Sequence, residues 1–463
     1  MDRKQRQQRR QLESSDMEAL EQINLDAAGI DVGAHEIYVA VPKGRDTETV
    51  RTFATFTADL EGLADWLQQC HITTVAMEST GVYWIPLFEI LDSRGLEVCL
   101  VNARHLKNVT GRKTDVLDCQ WLQRLHTCGL LQASFRPPDE ICALRALVRQ
   151  RAMLVSYRSA HIQHMQKALQ LMNVQLTRVL SDITGVTGMK IIRAIVAGER
   201  DGHVLAGFRD AQCKHSAADI AAALQGNYRR EHLFALRQAL DLYDIYDTKI
   251  RECDRELQAM YQDLAALRPP DEPASQPPTP RSGKPRKNQA HFDLAASLFG
   301  MAGVDLTRVH GIDALTAQVL LSEIGTDMSR WPTVKHFTSW LCLCPQNKIT
   351  GGKVKHRGTA KTKNRANTAL RIAAQALWRS QSANGAFYRR ICGKHGPAIA
   401  TTATAHRLAR QVYYLLKYRT DYIEPGAQEY ERRYQDRVLQ NLKRRAARLG
   451  FALIPTTGAA SVS

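Results

Sequence analysis

The chain has 463 residues, with 63 Lys and Arg against 46 Asp and Glu, and a formal net charge of +17. This charge excludes an acidic solvating protein and favours a polyanionic partner, and the length is enough for two to four domains. No apolar run is long enough for a transmembrane helix, and the basic start lacks the apolar core of a signal peptide. The ten cysteines include no CxxC pair and predict neither a disulfide framework nor a zinc site. We therefore expect a cytoplasmic protein that makes no use of a membrane.

A basic, flexible arm is predicted over residues 1–22, followed by a domain over 23–136 in which strands and helices alternate. The predicted elements are strands at Leu25–Val32, Glu36–Val41 and Val50–Thr57, a helix at Asp59–Cys70, a strand at Thr73–Met77, a helix at Trp84–Ser93, a strand at Leu96–Val101 and a helix at Val116–Gly129. Three antiparallel strands followed by strand–helix alternation predict an α/β domain, with a mixed sheet covered by helices.

The rest of the chain is predicted to be mostly helical. Residues 137–267 contain two long helices, at 139–176 and 231–267, with a small insert at 180–230 between them. Such helices pair either as an antiparallel hairpin or as a coiled coil between subunits. We place four arginines on the polar side of the first helix, namely Arg145, Arg149, Arg151 and Arg158.

A proline-rich linker is predicted over 268–290, which holds seven of the sixteen prolines. It separates the helical region from a mostly helical C-terminal domain over 291–425 with a glycine- and lysine-rich loop. A basic tail is predicted over 426–463.

Four acidic residues stand at strand ends or at a helix start. Asp31 comes at the end of the first strand and Glu78 directly after Val75-Ala76-Met77, while Asp115 and Asp118 share one face of a helix start. Gathered carboxylates repel one another unless a divalent cation neutralises them, and Mg²⁺ prefers carboxylate and phosphate oxygens. Each acid alone is equally compatible with an ordinary cap or surface position. All four together, in a basic chain, favour a metal-dependent phosphoryl-transfer site.

The loop from Lys348 to Arg371 contains eight basic residues and no acidic one. Its glycines allow backbone amides to approach phosphates closely. The alternative is a merely solvated basic face. We predict nucleic-acid contacts here from Lys348, Gly351, Gly352, Lys353, Lys355, Arg357, Lys361, Lys363 and Arg365.

Several segments together resemble a known family. Gly29–Gly33, Met77–Tyr83 and Thr114–Asp118 are similar to blocks of the RuvC-like nuclease domain in DEDD transposases of the bacterial insertion sequence 110 family, 1111-like subgroup. Four C-terminal stretches, in the same order as in that family, resemble its second transposase domain: Val309–Ile312, Ala317–Gly325, Phe337–Pro345 and Gly351–Lys353.

The resemblance implies a RuvC/RNase H-like domain, a coiled-coil-like helical hairpin and a helical C-terminal transposase domain. It further implies a recombinase that inserts and excises its element, with a structured bridge RNA pairing to target and donor DNA and a homo-oligomer (dimer or tetramer) acting at the nucleoid. Mg²⁺, or Mn²⁺ in its place, would bind the acidic quartet. A serine of the C-terminal domain would attack a DNA phosphate and give a covalent protein–DNA link.

The position of that serine, just before the glycines, is occupied here by Thr350. A threonine hydroxyl can act as a covalent nucleophile, although its methyl group crowds the approach to phosphorus and stiffens the side chain. We predict Thr350 as nucleophile. The open alternatives are a threonine that only supports the glycine turn, another hydroxyl such as Ser339 or Thr359, and an inactive copy.

Two other functions remain open from the sequence. One is a RuvC-like Holliday-junction or structure-specific endonuclease that hydrolyses DNA with a metal-activated water, which leaves free ends and has no need for Thr350. The other is a nucleic-acid-binding protein with a decayed site. The complete acidic quartet of Asp31, Glu78, Asp115 and Asp118 argues against decay.

Overall fold

A computed structural model describes residues 21–79, 81–102, 115–269, 275–279, 287–351, 353–356 and 358–454. The predicted arm up to residue 20 and most of the predicted linker lie outside these ranges. The chain divides into two compact units, one ending at Arg136 and the other beginning at Pro137. Within the described ranges, no helix is long and apolar enough to cross a membrane.

The first unit is a five-stranded mixed sheet with helices packed on it. Its elements are β1 (Ala27–Val32), β2 (Glu36–Ala40), β3 (Val50–Ala54), α1 (Thr57–Gln69), β4 (Thr74–Glu78), α2 (Trp84–Ser93), β5 (Glu97–Val101) and α3 (Asp115–Thr127). The strand order is β3-β2-β1-β4-β5. Strands β1, β2 and β3 pair antiparallel, whereas β4 runs parallel to both β1 and β5.

This arrangement confirms the predicted RuvC/RNase H-like α/β class. The third strand is shorter than predicted, because the chain leaves the sheet after Ala54 and helix α1 begins at Thr57. Alternate residues of the strands, such as Ile30 and Met77, form one apolar core with α1 and α2. The intervening residues face the other side of the sheet, where α3 packs against β1, β2 and β4.

The second unit begins with two long helices joined by a small helical insert. The bounds are α4 (Asp139–Leu171), α5 (Leu176–Val179), α6 (Val186–Ala197), α7 (Gly202–Ala206), α8 (Ala217–Ala223) and α9 (Arg230–Ala266). Helices α4 and α9 pair antiparallel within the chain. The insert shares one apolar core with both long helices, in which Ile191, Ile192 and Ile220 pack with Leu169 of α4 and Leu236 of α9.

The prediction that the α4 arginines lie on the polar side of the helix was wrong for Arg151 and Arg158, whereas the side chain of Arg149 is 44% exposed. Arg151 and Arg158 are buried and pair with Asp254 and Asp247 on α9. A buried guanidinium requires such a partner, since an unpaired charge away from water is costly. The other two arginines bind the C-terminal end of a later helix that carries Glu323.

The remaining elements build the C-terminal part. They are α10 (Leu294–Ala302), α11 (Ala314–Ile324), α12 (Val334–Trp340), β6 (Lys348–Thr350), β7 (Lys353–His356), α13 (Arg365–Ala376), α14 (Ala383–His395), α15 (Pro397–Tyr418) and α16 (Gly426–Arg448). The segment predicted as a basic tail is thus mainly helix α16. Its Tyr430 packs against Ala383, Ala386 and Phe387 of α14.

Candidate active site

Asp31 and Glu78 lie on neighbouring strands that run in the same direction. Ile30 of β1 is the register partner of Met77 of β4, so Asp31 and Glu78, one residue further on, lie side by side near the carboxyl ends of the strands. Both residues are partly buried. Because Ile30 and Met77 point into the apolar core, the two acids point to the opposite face, on which α3 packs.

Helix α3 reaches this face because β1 has a glycine where the two elements meet. A β-carbon on Gly29 would lie 2.2 Å from the Gln123 amide nitrogen and 2.3 Å from the Cys119 carbonyl oxygen. No other residue type permits this distance between strand and helix. Gly29 is two residues before Asp31, and Cys119 directly follows Asp118, so the contact brings the strand acid and the helix acid to one place. In the sequence, Gly29 was noted only as part of the Gly29–Gly33 segment, and its contact with α3 was not predicted.

The electrostatics of Cys119 support this placement. Burial raises the pKa of the Cys119 thiol to about 12, and the negative charges of Asp31 and Asp118 add to the rise. Asp31 on the sheet and Asp118 on α3 therefore both act on this thiol at the interface between the sheet and α3.

Asp115 opens α3, one turn before Asp118, but its side chain lies outside the described residues. Among the side chains that the structure does describe, no three of His, Cys, Asp and Glu approach closely enough to hold a metal ion. The donors that gather here are carboxylates alone, the ligand type that Mg²⁺ and Mn²⁺ select. The chemistry of the donors thus fits a divalent cation, with Asp31, Glu78, Asp118 and Asp115 as the available ligands.

Thr350 lies at the tip of a short hairpin in the second unit. It is the last residue of β6 and pairs with Lys353 of β7, which leaves Gly351 and Gly352 as a two-residue turn. Gly351 has φ +57°, a left-handed conformation that the first residue of such a turn needs and glycine readily adopts. Thr350 is exposed, so its hydroxyl is carried on an accessible turn; Gly352 lies outside the described residues.

The base of this hairpin is fixed by contacts to α13. The Gln346 amide donates to the Gly358 carbonyl (2.7 Å), and Pro345 forms a bridge with Thr359. Arg371 of α13 donates to the Thr359 hydroxyl (3.3 Å) and to the Asn367 amide oxygen (3.0 Å). Thr359 thus serves as a structural contact, which disfavours it as an alternative nucleophile, whereas Ser339 is exposed on α12.

The predicted nucleic-acid-binding residues fall into two groups. Lys353, Lys361, Lys363 and Arg365 are exposed. The last three surround the start of α13, whose first amides are capped by the Asn364 side chain. In the other group, Arg357 lies outside the described residues. The side chains of Lys348 and Lys355 also lie outside them.

The His310-Gly311-Ile312 turn before α11 is held by an acid. His310 Nδ1 lies 3.3 Å from Glu424 Oε2, and Gly311 has φ +99° with a β-carbon position only 3.0 Å from the Ala373 carbonyl oxygen. A carboxylate beside this imidazole repels a phosphate and competes with it for the imidazole. The turn is accordingly a less favourable phosphate site than the loop around Lys361.

Two family models match the chain. Residues 28–174 match a DEDD-type transposase model of IS110 elements, and residues 305–389 match one described as a transposase of the IS116/IS110/IS902 family. The first range contains all four carboxylates, and the second contains the Thr350 hairpin. None of the curated proteins matches the chain.

Proposed function

The chain belongs to the IS110 family of insertion-sequence transposases, and from this premise we propose that it cuts, exchanges and rejoins DNA strands under the guidance of a bridge RNA. The observation that carries the proposal is the meeting of Asp31 and Glu78 with α3 at one end of the sheet. A basic chain that gathers carboxylates in this way is suited to phosphodiester chemistry.

In this proposal the acidic quartet of Asp31, Glu78, Asp115 and Asp118 holds Mg²⁺, or Mn²⁺ in its place. The bound metal would neutralise charge on the phosphate oxygens during strand transfer. The protein contributes geometry: the β1–β4 register places two acids side by side, and the Gly29 contact sets the position of α3. The partly buried setting of Asp31 and Glu78 strengthens their interaction with a cation relative to bulk water.

Thr350 supplies the nucleophile in the proposed reaction. Its Oγ forms a bond to the scissile phosphorus while the bond from phosphorus to the leaving strand breaks. The leaving strand departs as a free hydroxyl, which takes up the proton that the threonine loses. Reversal of the same step with the hydroxyl of another strand rejoins the DNA and frees Thr350. The exposed position of Thr350 on a two-residue turn supports access by a strand.

The exposed cations Lys353, Lys361, Lys363 and Arg365 would bind the DNA backbone near Thr350. The target and donor sequences would be read by base pairing to the bridge RNA, and a homo-oligomer would combine several sites in one strand-exchange complex. The antiparallel hairpin of α4 and α9 is the element proposed for assembly. If the acids of one subunit act with Thr350 of another, mixing a Glu78→Gln protein with a Thr350→Ala protein restores activity that neither has alone.

The deciding experiment traps the covalent link. The protein is co-expressed with the non-coding DNA that flanks its gene, and the purified complex is incubated with end-labelled DNA and Mg²⁺ before denaturing electrophoresis. A protein–DNA adduct is expected for the parent, for Thr350→Ser and for the matched control Ser339→Ala, but not for Thr350→Ala. Full cleavage by Thr350→Ala with free DNA ends would instead identify a water-dependent endonuclease.

A further inference from the structure

Two arginines in the C-terminal part are held by aromatic rings instead of carboxylates. The Arg390 guanidinium of α14 lies 3.8 Å from the ring centroid of Tyr434 and 4.9 Å from that of Tyr430 on α16. Arg407 of α15 lies 4.9 Å from the Tyr430 centroid and 5.1 Å from that of Phe387. No carboxylate in the described part of the chain forms an ion pair with either one. Aromatic faces fix the positions of these cations without a direct ion pair, and the Glu424 carboxylate acts on Arg407 only through its charge.

The same place has hydrogen-bond donors without acceptors. Tyr430 is 6% exposed. Its buried hydroxyl lies beside the Arg407 side chain but forms no well-aligned hydrogen bond among the described residues, and Nη1 of Arg390 is likewise buried without a partner. Leaving such groups unpaired away from water is unfavourable. Burial also lowers the pKa of Arg407, which marks this guanidinium as poorly solvated. An anion with several acceptor oxygens would satisfy these groups together.

A cavity of about 490 Å³ opens at this point, lined by Arg407, Pro425, Tyr430, Arg433, Asp436 and Arg437. This volume is in the range of sites that hold small molecules or single nucleotide units. Its three arginines outnumber its one aspartate, although Arg433 also pairs with Glu429 at 2.6 Å. The cavity is therefore a positively charged recess with Tyr430 in its wall.

Beyond the cavity, helix α16 is exposed and rich in basic residues. Arg433, Arg437, Arg444 and Arg448 follow one another at intervals of four, seven and four residues, so they lie along one side of the helix. All four are exposed. Cations spaced along a helix are suited to successive phosphates of a nucleic-acid backbone.

We propose that the recess between α15 and α16 binds a backbone phosphate of single-stranded nucleic acid, which then runs along the arginine side of α16. A single strand is favoured because its flexible backbone can bend a phosphate into a recess. The guanidinium groups of Arg407 and Arg437 and the hydroxyl of Tyr430 would donate to the phosphate oxygens. This site is separate from the acidic quartet and from Thr350.

The test measures binding of short labelled single-stranded RNA, single-stranded DNA and duplex DNA to the full chain, in buffer without divalent metal. Metal-free conditions keep the result independent of the proposed catalysis. Tyr430→Phe removes only the hydroxyl and keeps the ring under both arginines; we expect it to weaken single-strand binding about tenfold. The matched control Tyr434→Phe, one turn further along the helix, should bind as the parent does.

Thermal unfolding separates a binding role from a structural one. Without nucleic acid, Tyr430→Phe should unfold at the parent's temperature or slightly above it, because the lost hydroxyl was unpaired. Arg437→Gln should weaken binding and reduce the salt dependence by about one phosphate contact, whereas Arg432→Gln, on the same helix but outside the recess, should change binding less than about twofold. A preference for RNA or for DNA would identify the strand. Equal binding by Tyr430→Phe and Tyr434→Phe, or binding of duplex alone, would overturn the proposal.

Discussion

Gly29 of β1 and Cys119 of α3 are in direct backbone contact: a β-carbon on the glycine would lie 2.3 Å from the cysteine carbonyl oxygen. This contact couples two elements that each carry a carboxylate of the candidate site. The position of Asp118 relative to Asp31 therefore depends on a residue that has no side chain. The geometry of the acidic site therefore depends on the packing of α3 against β1 as well as on the acidic residues themselves.

Replacing Gly29 by alanine should force α3 away from the sheet. We expect a loss of about 1–3 kcal/mol in the free energy of unfolding, as for other overpacked positions, together with loss of DNA cleavage. Denaturant unfolding and cleavage assays measure the two effects. Gly62→Ala is the matched control, since nothing lies within 4 Å of its β-carbon position in helix α1, and it should stabilise the protein by about 0.5–1 kcal/mol. Equal stability of the two variants would contradict this account of α3.

Glu78→Gln should abolish most DNA cleavage while leaving the fold intact. The amide keeps the shape of the side chain but removes a negative ligand, and we expect a decrease on the order of 10³-fold in rate. A second readout is independent of activity. Mg²⁺ should raise the unfolding temperature of the parent, because a cation that binds only the folded state stabilises it, and should raise that of Glu78→Gln less.

The control for this prediction is Glu48→Gln, which changes an acid in the same unit whose side chain is 74% exposed. It should retain both cleavage and the Mg²⁺ effect. If Mg²⁺ raised the unfolding temperature of Glu78→Gln as much as that of the parent, the metal would bind elsewhere.

The amino-acid pattern was sufficient to predict the mixed sheet and the places of Asp31 and Glu78. Alternation of apolar residues along β1 and β4 reveals which face is buried, and a residue in the last two positions of a strand lies near the end of the sheet by geometry alone. The pairing of β1 with β4 could not be read from the sequence, since it depends on contacts between residues far apart in the chain. The close approach of α3 at Gly29 was missed for the same reason.

The arginines of α4 show where helical periodicity gives the wrong answer. A polar stripe indicates solvent only if no other element covers it, and Arg151 is instead buried against Asp254 of α9. Asp254 also accepts from His291 Nδ1 at 2.6 Å. A buried pair of opposite charges looks, in sequence, like two surface residues. Such pairs contribute no net charge, so the excess of +17 is carried by the remaining basic residues.

Asp46 should make the stability of the first unit sensitive to acid. The indole of Trp66 donates to its carboxylate at 2.6 Å, and this hydrogen bond, with that of Thr47 and the charge of Arg51, lowers the pKa of Asp46 to about 2 from an ordinary value of 3.8. Since the folded value is the lower one, the stabilisation is complete above about pH 4 and is lost as the pH falls towards 2.

Thermal unfolding of the parent and of Asp46→Asn across this interval measures the effect. The difference between their unfolding temperatures should be largest above pH 4 and should shrink on acidification. A constant difference between the two proteins would show that Asp46 does not titrate in this way.

The exposed lysines before α13 should bind DNA through its backbone. Replacing Lys361 and Lys363 by glutamine together removes two phosphate contacts, so the salt dependence of DNA affinity should decrease by about two, with little change in preference between DNA sequences. The control is a second pair of exposed lysines in the same unit, Lys167 on α4 and Lys190 on α6, whose replacement by glutamine changes the net charge equally. Binding titrations at several salt concentrations separate a local contact from the general attraction of a basic protein, because only a local contact makes the two double variants differ.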